Sequence, residues 1–259
     1  YDSCRLISLN LKSLVKNSFE KNADFDFSKL KQVASIGMRL SDDLVELELE
    51  KLENIRQVAD TDDERSLWSK LYDAARLGRR TGLGTHGLAD AMACLNLAYD
   101  SDEALVIIEK IYRTLRDAAY EESVYLAQER GAFPAFDWSI EESNEFIQRL
   151  PEELKKLIAE HGRRNISILT NAPTGSVSIM SQTSSGLEPV FRNSYIRRRK
   201  LSHDEQDVEA DHIDDLGDRW LEYQVFHHNA QAWLDAHPFK DPGALPAFFV
   251  ESDNINWQQ

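Results

Sequence analysis

An apolar, strand-like run from Ile166 to Leu169 empties into Asn171-Ala-Pro-Thr-Gly-Ser-Val-Ser-Ile-Met-Ser-Gln-Thr-Ser-Ser-Gly-Leu-Glu-Pro-Val-Phe191, a stretch of small and hydroxylated residues. Small side chains at Thr174, Gly175, Ser176 and Ser178 let backbone N–H groups approach an anion. A short helix starting near Ser176 aims its positive end at the same place. The same composition also suits an ordinary strand-to-helix loop with Ser/Thr capping, so the local residues leave both readings open.

The rest of the chain alternates helices with short apolar strands. Cys4 to Leu11 reads as a strand. Ser28 to Val58 reads as one long or broken helix, with Leu30, Val33, Ile36, Leu40, Leu44 and Leu47 at helical spacing. Thr61 with Glu64 forms a capping box, and Gly78 is placed to end the helix that follows. Ser101 opens a helix that Gly131 closes. Ser139 with Glu142 makes a second capping box, and Pro151 opens a helix that Gly162 ends. Strands return at Asn165 to Thr170 and around Phe191 to Arg199. Helices between strands predict an α/β architecture with parallel strands.

Composition narrows the function classes. The 259 residues are 42% hydrophobic and 29% charged, ordinary for a soluble globular protein of one or two domains. No run approaches the roughly 20 apolar residues of a membrane span, and no signal peptide opens the chain. Both point to a cytoplasmic protein without membrane contact. A formal net charge of -15 argues against nonspecific nucleic-acid binding, which needs clustered Lys and Arg. The one dense basic run, Arg197 to Lys200, is matched by the acidic stretch from Asp204 to Asp218.

Three other features invite site readings. Gly82, Gly84 and Gly87 spell a dinucleotide-binding fingerprint, but the preceding residues, Leu71 to Arg80, read as helix where that fingerprint needs a strand. The glycines are better read as permitting a tight turn and close helix packing. His227-His228 and Asp211-His212-x-Asp214-Asp215 lack the spacing of a zinc site and read as solvated helix faces, so no metal site is assigned. With only Cys4 and Cys94 there is no disulfide framework. Cys94 lies in an apolar helix, and Cys4, on a strand entering the core, reads by itself as a small buried residue.

Four ordered segments, together with the Ala-Pro-Thr-Gly-Ser-Val-Ser and Ser-Ser-Gly-Leu-Glu-Pro wording of the loop, carry a family likeness. They are Asp2-Ser-Cys-Arg-Leu-Ile-Ser-Leu-Asn-Leu11, Arg79-Arg-Thr-Gly-Leu-Gly-Thr-His-Gly-Leu-Ala-Asp90, Ala127-Gln-Glu-Arg-Gly-Ala-Phe-Pro134 and Arg192 to Lys200. The chain resembles the catalytic subunit of adenosylcobalamin-dependent (class II) ribonucleotide reductases. The resemblance implies the later half of a ten-stranded, helix-rich α/β barrel. It implies that Ala172, Pro173, Thr174, Gly175, Ser176, Val177 and Ser178 hold the substrate's phosphates. Cys4 then matches one member of the cysteine pair that reduces the ribonucleotide.

The family's radical-bearing Cys belongs to an Asn-x-Cys-x-Glu motif ahead of the Cys4 strand, and that motif is not in this sequence. The chain, from Tyr1 to the Asn256–Gln259 end, therefore reads as a middle segment of the catalytic domain, truncated at both ends. The resemblance implies adenosylcobalamin as cofactor. The implied partners are a ribonucleotide, a companion segment carrying the radical cysteine, and a thioredoxin-like reductant, with a homodimer as a compatible assembly. Two alternatives stand beside it: a non-catalytic nucleotide-binding remnant, and a class I large-subunit segment.

Overall fold

The computed structural model describes residues 2–238, 240 and 243–255. The two ends read above as truncations, at Tyr1 and at 256–259, lie outside the described residues. After β1 (Arg5–Asn10), the short strands β2 (Val15–Lys16) and β3 (Asp24–Phe25) pair antiparallel and lead into helix α1 (Phe27–Val58). Helix α2 (Asp62–Gly78) returns to β4 (Thr81–His86), followed by α3 (Leu88–Cys94) and α4 (Asp102–Arg130). The short helices α5 (Trp138–Glu141) and α6 (Glu145–Gln148) precede α7 (Glu152–His161) and α8 (Gly175–Ser181). Strands β5 (Ser194–Lys200), β6 (His212–Ile213) and β7 (Arg219–Phe226) form a separate antiparallel sheet ending in α9 (His228–Ala236).

The strand that organises the molecule is β4, which sequence reading took for a turn. It pairs parallel with β1, Arg5 opposite Thr81 through Asn10 opposite His86, and all six of its residues are buried. On its other side the extended segment 167–170 supplies a third parallel partner. There Thr81 N–H donates to Ser167 O at 2.9 Å, Leu83 N–H to Ile168 O at 2.8 Å and Thr170 N–H to Leu83 O at 3.0 Å. The predicted strand at 165–170 is thus present as a ladder partner of β4. Glycines are depleted in strands, which is why β4 was missed; here they are demanded by close approach. A Cβ on Gly84 would lie 2.0 Å from Thr170 O.

Two helix starts follow the predicted caps: Thr61 and Ser101 accept from the amides of Glu64 and Ala104. At the start of α1 the cap is Asp26, which accepts from the Lys29 amide. The second predicted box differs: Asp137, not Ser139, caps the single turn of α5. Helix α1 is continuous, but its buried stripe is Leu30, Ala34, Met38, Asp42, Val45, Leu49 and Leu52. Ile36, Leu40 and Leu47, read above as part of its apolar face, are more than half exposed. Small residues decide the face, because Gly37 lets the helix press onto the sheet, where an added Cβ would come within 3.0 Å of Leu83 Cδ1. Helices α1, α4 and α7 cover that side around Met38, Leu83, Leu115, Val124, Ile158 and Ile168. No helix among the described residues is long and apolar enough to cross a membrane.

The strand predicted near 191–199 exists as β5, but it turns back on β7 as an antiparallel hairpin away from the parallel layer. Arg199 and Lys200 pair into the acidic stretch as expected, with Glu205 and Asp218, whereas Arg198 pairs with Glu222 on β7.

Beneath the parallel layer lies a buried ionic knot. Asp42, fully buried on α1, accepts from Arg79 Nε at 3.0 Å and Nη2 at 2.8 Å, and from Asn165 Nδ2 at 3.0 Å. Arg130 and Arg164 reach its other oxygen at 3.3 Å each. One carboxylate so joins α1 to the start of β4, the end of α4 and the start of the 167–170 ladder. Removing one partner of a buried, hydrogen-bonded ion group leaves the others uncompensated. Asp42→Ala should therefore cost about 3–5 kcal/mol of stability, against under about 1 kcal/mol for the half-exposed neighbour Asp43→Ala. Urea unfolding of both variants measures the difference, and equal midpoints would contradict it.

Candidate functional site

The face of the parallel layer opposite α1 is shallow because β4 alternates glycines onto it. Cys4, Leu6 and Ser8 share this face, by the two-residue period of a strand. A Cβ on Gly82 would fall 2.6 Å from Cys4 Sγ and 2.8 Å from Leu6 Cδ2. Gly82 and Gly84 therefore serve strand packing and the floor of a cleft, not a turn. Only Gly87, with φ +73°, sits at a helix start, that of α3.

A cleft of about 330 Å³ lies on this floor, lined by Leu6, Ser8, Gly82, Gly84, Thr170 and the Ala172–Thr174 turn with Val177. Cys4 Sγ packs against Gly82, one of its lining residues, and Ala172, Pro173, Thr174 and Val177 of the predicted anion turn line the same cleft. Burial raises the Cys4 thiol above its ordinary value, and the nearby Arg80 and Arg5 only partly oppose this. The thiol is thereby held protonated. Cys94 is fully buried, with its thiol donating to Asn229 Oδ1 at 3.3 Å. It takes no part in the cleft, and both cysteines are free.

The turn itself is built as its sequence predicts, with α8 beginning at Gly175. Thr174 is buried, and its Oγ1 accepts from Gly186 N–H at 2.8 Å. Ser178 is also buried and donates to Gly175 O at 2.9 Å, within the helix. Its hydroxyl therefore serves the helix instead of facing outward. Gly175, Ser176 and Val177 are exposed, and their amides, in the first turn of a helix, have no intrahelical acceptor. A Cβ on Gly175 would meet nothing within 4 Å; the glycine opens space in front of those amides.

Sequence reading missed three groups around this turn. Asp90, fully buried on α3, accepts from Ser184 N–H at 2.8 Å and from His227 Nε2–H at 2.7 Å. His227 is thus a partly buried partner of a carboxylate and not part of a solvated face, whereas His228 is exposed as predicted. His212 lies on β6, and Asp214 accepts from Trp220 Nε1 at 2.9 Å, so that group is strand and turn instead of helix. Inside the sheet, His86 Nδ1 lies 2.8 Å from Ser8 Oγ while its buried Nε2 has no partner. Burial lowers its pKa, keeping the ring neutral. Asp90 carried a signal, since it closes the Gly-Leu-Ala-Asp run; His227 carried none, being 137 residues away.

A second cleft, about 850 Å³, borders the far side of α8, lined by Ser178, Ser184, Glu188, Phe191, Tyr195 and His227 among others. Both clefts are of small-ligand size. The smaller one, beside Cys4, lacks the room for a corrin with its side arms.

A family model described as the ribonucleotide reductase barrel domain matches residues 1–238. The vitamin B12-dependent ribonucleoside-diphosphate reductase of Mycobacterium tuberculosis is 32% identical over 197 residues, covering 76% of this chain and 23% of the relative. The enzyme of the same name from Thermoplasma acidophilum is 32% identical over 197 residues, 76% of this chain and 21% of its own length. The ribonucleoside-diphosphate reductase large subunit of variola virus is 29% identical over 208 residues, 76% and 25%. The chain spans about a quarter of the length of these relatives.

Thiolate is the reactive form of cysteine, so a raised Cys4 pKa moves its alkylation to higher pH. The iodoacetamide rate at Cys4, followed by mass spectrometry, should reach half its plateau at a pH above that of a free cysteine peptide, with Cys94 unreacted until unfolding. A midpoint below the peptide's would contradict the buried-thiol geometry.

Proposed function

Because this chain belongs to the ribonucleotide reductase barrel-domain family, we propose that it supplies two working parts of such an enzyme, a phosphate-binding turn and one reducing thiol. The observation that carries the proposal is the single cleft running from Gly82, against which Cys4 packs, to Thr174 and Val177. A ribonucleotide whose phosphates meet the amides of Gly175, Ser176 and Val177 has its sugar on the glycine floor toward Cys4. Backbone donors at a helix start suit an anion, and a protonated thiol suits a donor of hydrogen and electrons.

In this reading a ribonucleotide and two thiols give a 2′-deoxyribonucleotide, a disulfide and water. Cys4 is one thiol; the second, and the radical-bearing cysteine, belong to another part of the reductase. Relatives named as B12-dependent support adenosylcobalamin as the radical source. The similarity to the variola virus large subunit supports a second reading, in which a separate subunit supplies the radical. Turnover by the assembled reductase with adenosylcobalamin alone decides between them: activity fits the first reading, and a requirement for a second subunit fits the other.

The anion turn is testable by itself. Ser176→Ala should weaken ribonucleoside diphosphate binding by only about 1 kcal/mol, one neutral hydrogen bond, because backbone donors do most of the holding. Gly175→Val should abolish measurable binding while leaving the melting temperature near that of the parent, since its Cβ projects into open space. Calorimetric titration of both variants measures this. Parent-like affinity in Gly175→Val would place the phosphate elsewhere.

A further inference from the structure

We infer that His227 is a positioning residue for the phosphate turn, acting through the buried carboxylate of Asp90; the inference rests on the anion-binding reading of that turn. The connection is a chain of short contacts between distant parts of the sequence. His227 Nε2–H donates to Asp90 Oδ1 at 2.7 Å, and Asp90 Oδ2 accepts from Ser184 N–H at 2.8 Å. Ser184 O in turn accepts from Gly87 N–H at 3.0 Å, locking the 183–186 limb to the start of α3. Two residues on, Gly186 N–H donates to Thr174 Oγ1 at 2.8 Å, and Thr174 is the residue from which α8 begins.

Asp90 is fully buried, and a buried carboxylate keeps its place only if its oxygens are satisfied. His227 supplies one of the two hydrogen bonds to its oxygens, and the Ser184 backbone amide supplies the other. It arrives from the end of the β5–β7 hairpin, where its own N–H donates to Asn193 O at 2.8 Å. The hairpin base, the carboxylate and the turn are one mechanical unit. The position of the amides that meet the phosphate is therefore set by a histidine that never reaches the anion.

His227→Met and His227→Gln test this at matched bulk, since only glutamine keeps a donor where Nε2 stood. Hydrogen exchange of the Ser184 and Gly186 amides reads the limb, with Leu83 on β4 as the internal reference for folding. His227→Met should speed exchange at both amides about tenfold, the loss of one hydrogen bond to a charged group. It should weaken inorganic diphosphate binding by a similar factor, and His227→Gln should restore both. Equal exchange in the two variants would overturn the inference, as would faster exchange with unchanged diphosphate affinity. If the parent binds no diphosphate, the anion reading falls, and exchange at Gly186 alone decides whether His227 positions the turn.

Discussion

Everything above the sheet depends on Asp42 below it. A single buried carboxylate collects Arg79, Arg130, Arg164 and Asn165, which lie at the end of α2, at the end of α4 and just before the 167–170 segment. Buried ion groups contribute little net stability compared with apolar packing, but they are exacting about geometry. Here the geometry fixed is the level at which β4 and the 167–170 segment begin. Arg79 adopts a left-handed conformation, φ 48°, at the end of α2, a position usually given to glycine. Its guanidinium contacts with Asp42 and Glu46 offset that strain.

From that fixed start, spacing along the strands determines the cleft. Gly82 and Gly84 fall on the face away from α1, so Cys4 and the Thr170 backbone approach β4 more closely than any side chain would allow. The ladder ends at Thr170, and the chain turns through Pro173 into α8 directly over this floor. A second buried carboxylate, Asp90, performs at the upper end what Asp42 does at the lower, holding a loop that has little apolar surface of its own. The tied loop borders a cleft floored by Gly82 and Gly84 and walled by Leu6, Pro173 and Val177.

Much of this was legible in the residues, for identifiable reasons. Caps at Thr61 and Ser101, terminators at Gly131 and Gly162, and the start of α8 are local effects, and local chemistry specifies them. Two differences are local, the Asp137 cap in place of Ser139 and the Ser178 hydroxyl turned onto Gly175 O; the larger ones are tertiary. Strand β4 reads as a turn because its glycines answer to Thr170 and Cys4, residues far away in sequence. The buried face of α1 differs from the expected one because Ala34, Gly37, Ser41 and Asp42 share it with Leu30, Met38 and Val45, while Ile36, Leu40 and Leu47 face outward. The Asp90–His227 pair joins positions whose separation hides the relation, and the hydroxyl of Ser178 points into its own helix, which composition does not reveal.

The proposed ligand surface joins the turn at Gly175 to the floor at Cys4, and amide chemical-shift mapping of the protein titrated with a ribonucleoside diphosphate is its test. Perturbations are expected at Gly175, Ser176 and Val177 together with Cys4, Gly82 and Gly84, all saturating at one ligand concentration. Shifts confined to the turn, to the larger cleft around Phe191, or to the β5–β7 hairpin would contradict it.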